Sequence, residues 1–150
     1  MTEFTIETWA TPYVTGWMRI WDMADQFGQC WNGKDNLMGV RDHDEWTSYT
    51  ENVKTYIAVV CTALSSGGWS LVYYHLDAET GATLSSYAST IVGSDWSPQK
   101  VGVNALLLGK SHASWDPYGN ASYDEFRIWN KALSEGELKK NVEKGPDLLP

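Results

Sequence analysis

Apolar and polar positions alternate in short segments along most of the chain, and this period of two predicts β-strands. The clearest segments are rich in β-branched and aromatic residues, which favour strands. Turn signals such as Asn32-Gly33 and Ser65-Ser66-Gly67-Gly68 separate them. The predicted strands are residues 4–9, 16–22, 37–40, 56–62, 69–76, 83–91, 103–108 and 123–129. Short strands with turns and without intervening helices predict an all-β fold, a two-sheet antiparallel jelly-roll sandwich.

The end of the chain carries the one helical signal. Ser134 and Glu137 have the spacing of a capping box, in which each side chain bonds the backbone N–H of the other residue. Leu133 and Leu138 flank them at the spacing of a hydrophobic staple. A Gly-Pro pair then stops the pattern. We expect one short amphipathic helix, from Glu135 to about Glu143, packed against a sheet edge.

Composition fits a single folded domain spanning residues 1–150. The sequence is 43% hydrophobic and 20% charged, which is ordinary for a globular protein. No apolar run approaches the roughly 20 residues needed to cross a bilayer, so we expect no membrane insertion. No secretory signal is visible after Met1. An excised domain would also lack one, so this says little about location.

The net charge of −8, from 19 acidic and 11 basic side chains, makes nucleic acid an unfavourable partner. Four lysines cluster near the end, at positions 131, 139, 140 and 144, but Glu135, Glu137 and Glu143 interleave them. Such a mixed pattern is typical of a solvated helix face.

The two cysteines, Cys30 and Cys61, leave two readings open. They could form one disulfide, although a core of this size needs no staple. Cys61 lies in the apolar run Tyr56-Ile57-Ala58-Val59-Val60-Cys61, where a cysteine usually behaves as a small buried hydrophobe.

The aromatic content is high and biased, with nine Trp and eight Tyr but only three Phe. Trp and Tyr carry a polar group on an apolar ring, which suits wet recognition surfaces. Trp9, Trp21, Trp69 and Trp129 lie within predicted strands, where about half of the positions face a core. Five aromatic residues fall instead in polar, turn-rich segments and are expected at the surface: Trp31, Trp46, Trp96, Trp115 and Tyr118.

These exposed rings have the chemistry that a sugar site needs. Flat aromatic faces cover sugar C–H surfaces, and a few polar side chains fix the hydroxyl groups. Arg41 and His43, just before Trp46, are the candidate polar partners. For any single ring, a structural role as a lid over the edge of the core is an equal alternative.

Both ends of the chain carry a family resemblance. Residues 105–111 (Ala-Leu-Leu-Leu-Gly-Lys-Ser) and 115–134, with Asp124-Glu-Phe-Arg-Ile-Trp-Asn before a capped helix, resemble the closing segment of laminin-G-like domains in the concanavalin A-like superfamily. Phe4-Thr-Ile-Glu-Thr-Trp9 and Arg19-Ile-Trp-Asp22 resemble early strands of that family. The resemblance implies a jelly roll, and lectin-like members lead us to expect an extracellular or cell-surface domain.

The same resemblance implies a structural Ca²⁺ ion with Asp124 as a ligand, since Ca²⁺ prefers carboxylate and carbonyl oxygens. The alternative is that Asp124 only caps a turn. Family members usually have one or two further strands before the Phe-Thr-Ile-Glu strand. A jelly roll without them would leave an open sheet edge, which leaves three alternatives: a trimmed domain, a compact variant or a homo-oligomer that pairs edges.

Catalytic patterns are missing from the sequence. The glucanases of this superfamily carry Glu-x-Asp-x-x-Glu on one strand, and this chain has no such motif to supply a carboxylate pair. The three histidines are scattered, and neither a Gly-x-Ser-x-Gly elbow nor zinc-type ligand spacing occurs. We therefore expect no enzyme, and rank a glycosidase or lyase with an atypical site last.

The expected function is a non-catalytic carbohydrate-binding module that recognises a poly- or oligosaccharide. The alternative is a protein-interaction or adhesion domain that uses an aromatic patch or an open sheet edge.

Overall fold

The computed structural model describes residues 3–13, 18–22, 29–32, 37–40, 43–46, 50–91, 106–111, 114–115 and 117–148. Within these ranges the protein is mostly β with one short C-terminal helix, as the hydrophobic pattern predicts. The elements are β1 (Glu3–Pro12), β2 (Met18–Asp22), β3 (Gln29–Asn32), β4 (Leu37–Val40), β5 (His43–Trp46), β6 (Thr55–Ala63), β7 (Trp69–Asp77), β8 (Thr83–Ile91), β9 (Leu107–Leu108), β10 (Ala121–Trp129) and α1 (Glu135–Lys144).

The described strands form two five-stranded sheets. Sheet A has the order β10-β1-β6-β7-β8, and sheet B has the order β5-β4-β3-β2-β9. The pairs from β1 to β8 in sheet A are antiparallel, as are all neighbours in sheet B. The chain divides into two compact units, one of Met1–Ala10, Lys54–Ser94 and Tyr123–Pro150, the other of Thr11–Val53 and Asp95–Ser122.

Long predicted strands match the observed ones, and short ones were harder to predict. The segments at 4–9, 56–62, 69–76, 83–91 and 123–129 correspond to β1, β6, β7, β8 and β10. The sequence analysis missed β3 and β5, which have four residues each. Both contain several polar residues and lack a clear apolar alternation, whereas β4 is equally short but apolar and is predicted at residues 37–40.

Helix α1 lies on the face of sheet A, so the prediction that it packs against a sheet edge is wrong. Its Leu138 and Val142 join a buried cluster with Trp9 of β1, Tyr56 of β6 and Leu76 of β7. These three strands are the central ones of the sheet. A helix buries its apolar stripe best on a broad apolar surface, which a single edge strand does not offer.

The predicted capping box at the start of α1 is confirmed. The Ser134 backbone N–H donates to Glu137 Oε2 at 2.8 Å, and the Glu137 N–H donates to Ser134 Oγ at 3.3 Å. Hydrogen bonds from Lys131 and then from Ser134 lower the pKa of Glu137 to about 2. At the other end, the Gly145 N–H caps the carbonyls of the last turn.

A buried carboxylate ties the elements of the first unit together. Glu7 on β1 is fully buried, and its oxygens accept hydrogen bonds from the Tyr56 hydroxyl and from Asn141 Nδ2 at 3.0 and 3.2 Å. Arg127 Nη1 on β10 lies 3.4 Å from Glu7 Oε1. A buried charge is costly unless it is paired. These contacts therefore link β1, β6 and β10 of sheet A to the helix.

Arg127 extends that cluster beyond Glu7. Its Nη2 donates to the Pro146 carbonyl at 2.6 Å, and its guanidinium carbon lies 4.9 Å from the centroid of the Trp9 ring. The arginine of the Asp-Glu-Phe-Arg-Ile-Trp segment therefore holds the residues after α1 against the end of the chain's last strand.

Candidate functional site

The described residues of segment 109–119 (109–111, 114–115 and 117–119) are named here the aromatic loop, and backbone hydrogen bonds join the two ends of the segment. The Gly109 N–H donates to the carbonyl of Ile20 on β2 at 3.1 Å. The Gly119 N–H donates in turn to the Gly109 carbonyl at 2.6 Å. The two ends of the loop thus meet beside a strand of sheet B.

Both glycines are required by this closure. A Cβ on Gly119 would lie 2.7 Å from the carbonyl oxygen of Arg19 and 3.0 Å from the Cα of Gly109. Gly109 has φ of 63°, a left-handed conformation that glycine adopts without strain. The Leu-Gly and Tyr-Gly pairs of the sequence therefore place backbone against backbone at the loop base.

Side chains reinforce the base of the loop. Ser111 Oγ donates to Asp22 Oδ2 at 3.3 Å, and both residues are buried. Asp22 Oδ2 also lies 3.7 Å from Arg19 Nε. Just beyond the loop, the Tyr13 N–H donates to the Asn120 carbonyl at 2.9 Å. These contacts hold the loop ends to the strands of the second unit.

Two of the five predicted surface rings lie on this loop and are exposed. Trp115 is 84% exposed and Tyr118 is 72% exposed, the highest values among the exposed large hydrophobic residues described. The Lys110 ammonium lies 5.2 Å from the centroid of the Tyr118 ring, within cation–π range. The sequence analysis missed Lys110, since only the closed loop brings it to the ring.

The remaining predicted site residues are not brought to the aromatic loop by the described structure. Trp31, predicted beside a turn, lies on β3, and His43 and Trp46, predicted in a polar strand end or loop, lie on β5. Their side chains are outside the described part of the structure, as are Trp96 and Arg41 altogether. For these five residues a role in ligand binding stays a prediction.

Asp124, the predicted calcium ligand, lies on β10. Its Oδ2 forms an ion pair with Lys54 Nζ, and both side chains are partly exposed. In the described ranges no three His, Cys, Asp or Glu side chains form a group that could hold a metal ion. The Ca²⁺ ion stays a prediction.

The strand tryptophans are mostly core residues. Trp9 and Trp21 are fully buried, and Trp69 is buried as well. The thiol of Cys61 is free and buried, as its apolar run predicts, and burial raises its pKa to about 12. His75, on β7, is also buried, and this lowers its pKa to about 4. Neither group has the exposure that a reacting side chain needs.

No helix in the described part of the chain is long and apolar enough to span a membrane.

No protein-family model matches the sequence, and no curated protein matches it either.

Proposed function

We propose that this chain is a non-catalytic carbohydrate-binding domain whose aromatic loop contacts the glycan. The observation that carries the proposal is the exposure of Trp115 and Tyr118, at 84% and 72%, on one loop. Large apolar rings normally leave water when a fold offers them a core. Two rings exposed together on a braced loop are better explained by a ligand than by packing.

The described ends of the loop are held in place, which favours a binding site. Hydrogen bonds at Gly109 and Gly119 close it, and Ser111 anchors it to Asp22. A site held in place before binding loses less conformational entropy when the ligand arrives. Indole and phenol rings present apolar faces to sugar C–H groups, while the Lys110 ammonium and the Tyr118 hydroxyl can meet sugar hydroxyls.

Binding to a glycan array, followed by calorimetry on the best neutral oligosaccharide, tests the proposal. We expect Trp115→Ala to weaken binding about tenfold or more, the usual effect of removing an aromatic anchor. Trp115→Tyr keeps a ring with a polar group and is expected to retain most of the affinity. Since Trp115 is so exposed, both variants should keep the thermal stability of the parent protein.

Unchanged binding by Trp115→Ala and Tyr118→Ala, with the fold intact, would contradict this site. Release of reducing ends from any polysaccharide by the pure protein would contradict the non-catalytic assignment. The cysteine and histidine environments give no support to nucleophilic or acid–base chemistry in the described residues.

The finer features of the proposal are a jelly-roll arrangement, an extracellular or cell-surface location and a structural Ca²⁺ ion at Asp124. Two antiparallel five-stranded sheets support the first. The Ca²⁺ ion at Asp124 is checked by thermal unfolding with and without a calcium chelator. A chelator effect that Asp124→Asn removes supports the ion, and identical curves count against it.

A protein-interaction domain is the second candidate, and the end of sheet A favours it. Among the described strands β8 is last in the order of that sheet, and none of its nine residues is charged. Leu84 and Tyr87 on it are 56% and 43% exposed. Charged residues normally protect an edge from pairing with another strand. A stable dimer in light scattering that Ser86→Lys dissociates would favour a homo-oligomer through this edge.

A further inference from the structure

A second concave site lies in the first unit, between the end of β10 and the exposed side of α1. It is a cavity of about 200 Å³, named here the basic cavity. Its apolar part is formed by Trp129 and Leu133. Its charged part is formed by Lys131, Lys140 and Lys144 together with Glu137.

The charges of this cavity do not cancel. Lys131 Nζ pairs with Glu137 Oε1 at 2.7 Å, and Glu137 Oε2 is held by the Ser134 N–H. Within the described residues neither Lys140 nor Lys144 has an ion-pair partner. They lie one helical turn apart, at the i,i+4 spacing where like charges repel each other. Two uncompensated ammonium groups thus line one cavity of a chain with net charge −8.

The neighbouring Lys139 lies on the same helix but does not line the cavity, and its charge is paired. Its Nζ pairs with Glu135 Oε1 at 2.7 Å, an ordinary i,i+4 ion pair. Hydrogen bonds from Lys139 and Thr83 lower the pKa of Glu135, so that carboxylate stays ionised. In the described residues, acidic partners therefore compensate Lys139 and Lys131 but not Lys140 and Lys144.

The apolar part of the cavity is fixed by the core. Leu133 is buried in the cluster beneath α1, and Trp129 packs against the same cluster while lining the cavity. A partly buried indole in the same cavity as the ammonium groups of Lys140 and Lys144 suits a ligand with one apolar face and one anionic group. The volume is below the roughly 300 Å³ at which pockets begin to take drug-sized ligands, so the ligand is small.

We infer that the basic cavity binds one anionic sugar unit of a glycan, with the ring against Trp129 and the carboxylate or sulfate group at Lys140 and Lys144. Carboxylated and sulfated sugars share this chemistry. The sugar class of the ligand rests on the proposed function. The site itself is separate, since it uses different residues, in a different unit of the chain, from the aromatic loop.

Calorimetry with three oligosaccharides of equal length tests the inference: a uronic acid oligomer, a sulfated oligomer and a neutral oligomer. We expect at least one anionic oligomer to bind, and Lys140→Gln or Lys144→Gln to weaken it about tenfold each, the usual cost of losing a hydrogen bond between charged groups. The two anionic arms identify which group the cavity prefers.

Lys139→Gln is the matched control, since it removes the same charge from the same helix outside the cavity. It should change the affinity by less than about twofold, because solvent and salt screen a distant exposed charge. Equal weakening by all three variants would overturn the inference and indicate only a general charge effect. Sodium sulfate competing as well as the anionic oligomer would also overturn it, since no sugar ring would then be recognised.

Trp115→Ala, measured in parallel, separates this inference from the proposed function. If Trp115→Ala loses neutral-glycan binding and Lys140→Gln binds every ligand normally, the inference about the basic cavity is overturned while the proposed function is supported. If binding of the anionic oligomer is weakened by Lys140→Gln but not by Trp115→Ala, the inference about the basic cavity is supported and the aromatic loop is not the binding site.

Discussion

Glu7 is fully buried in the first unit, and three side chains offset the cost of burying its carboxylate. Tyr56, Asn141 and Arg127 all donate hydrogen bonds to it. Burial, and then the charge of Glu7, raise the pKa of Tyr56, so its hydroxyl stays protonated and remains a donor. Sequence alone shows Glu7 only as one polar position in an alternating strand, and its partners come from residues far along the chain.

Tyr56→Phe tests this cluster by removing one donor without changing the ring. We expect the free energy of unfolding to fall by about 1.5–3 kcal/mol, the range for a hydrogen bond to a charged group. Urea unfolding of both proteins measures the difference. Tyr118→Phe is the control, since that hydroxyl is on an exposed ring and its loss should leave stability unchanged. Equal stability of Tyr56→Phe and the parent would show that the buried hydroxyl bond contributes nothing.

At the scale of elements, the aromatic loop shows how backbone packing brings the two ends of an exposed segment together. The loop base brings the backbone of Gly119 against those of Arg19 and Gly109, and this closeness leaves no room for a Cβ. The ends of the loop that carries the exposed rings therefore depend on a glycine at position 119. Helix α1 contrasts with this loop, because its capping box and staple are local and readable from a few residues.

Gly119→Ala tests the loop base. A Cβ 2.7 Å from a backbone oxygen forces the strand or the loop to move, so we expect a loss of about 1–3 kcal/mol in stability, the usual range for overpacking. Glycan binding should weaken as well. Differential scanning calorimetry and the glycan titration provide the two readouts.

Gly136→Ala on α1 is the matched control. A Cβ there meets nothing within 4 Å, and alanine is the better helix former, so this variant should be as stable as the parent or more stable. If both glycine variants behave alike, the tight contact at the loop base has no energetic consequence.

At the scale of the whole molecule, one buried histidine makes stability depend on pH. Burial lowers the pKa of His75 to about 4, against a smaller opposing effect of Asp77. The unfolded chain has the ordinary histidine pKa near 6.5 and so binds the proton first as the pH falls. Its contribution to stability is complete above about pH 6.5 and is lost progressively as the pH falls towards 4.

We expect this histidine to lower the free energy of unfolding by up to about 3 kcal/mol between pH 7 and pH 4. His75→Gln removes the titrating group, so its stability should fall less steeply over that range, whatever its stability at pH 7. Urea unfolding at half-unit pH intervals gives the two slopes. Parallel slopes would mean that His75 is not held neutral in the folded protein.

The all-β class, five long strands and the helix with its cap could be predicted from the sequence. Each of these depends on residues close together, such as Ser134 and Glu137 or the alternation within β6. The candidate site was only partly predictable. Exposure of Trp115 and Tyr118 follows from their turn-rich segment, but Trp31 and Trp46 lie on short strands whose polar residues obscure the alternation.

By itself the sequence determined which segments form strands and which form the helix, because periodicity and capping are local properties of a chain. Tertiary structure alone decided that α1 covers the face of sheet A, that Lys110 meets Tyr118, and that Lys140 and Lys144 share a cavity with Trp129. The physical reason is that contacts between distant residues depend on how elements pack, and a list of residues does not contain those distances.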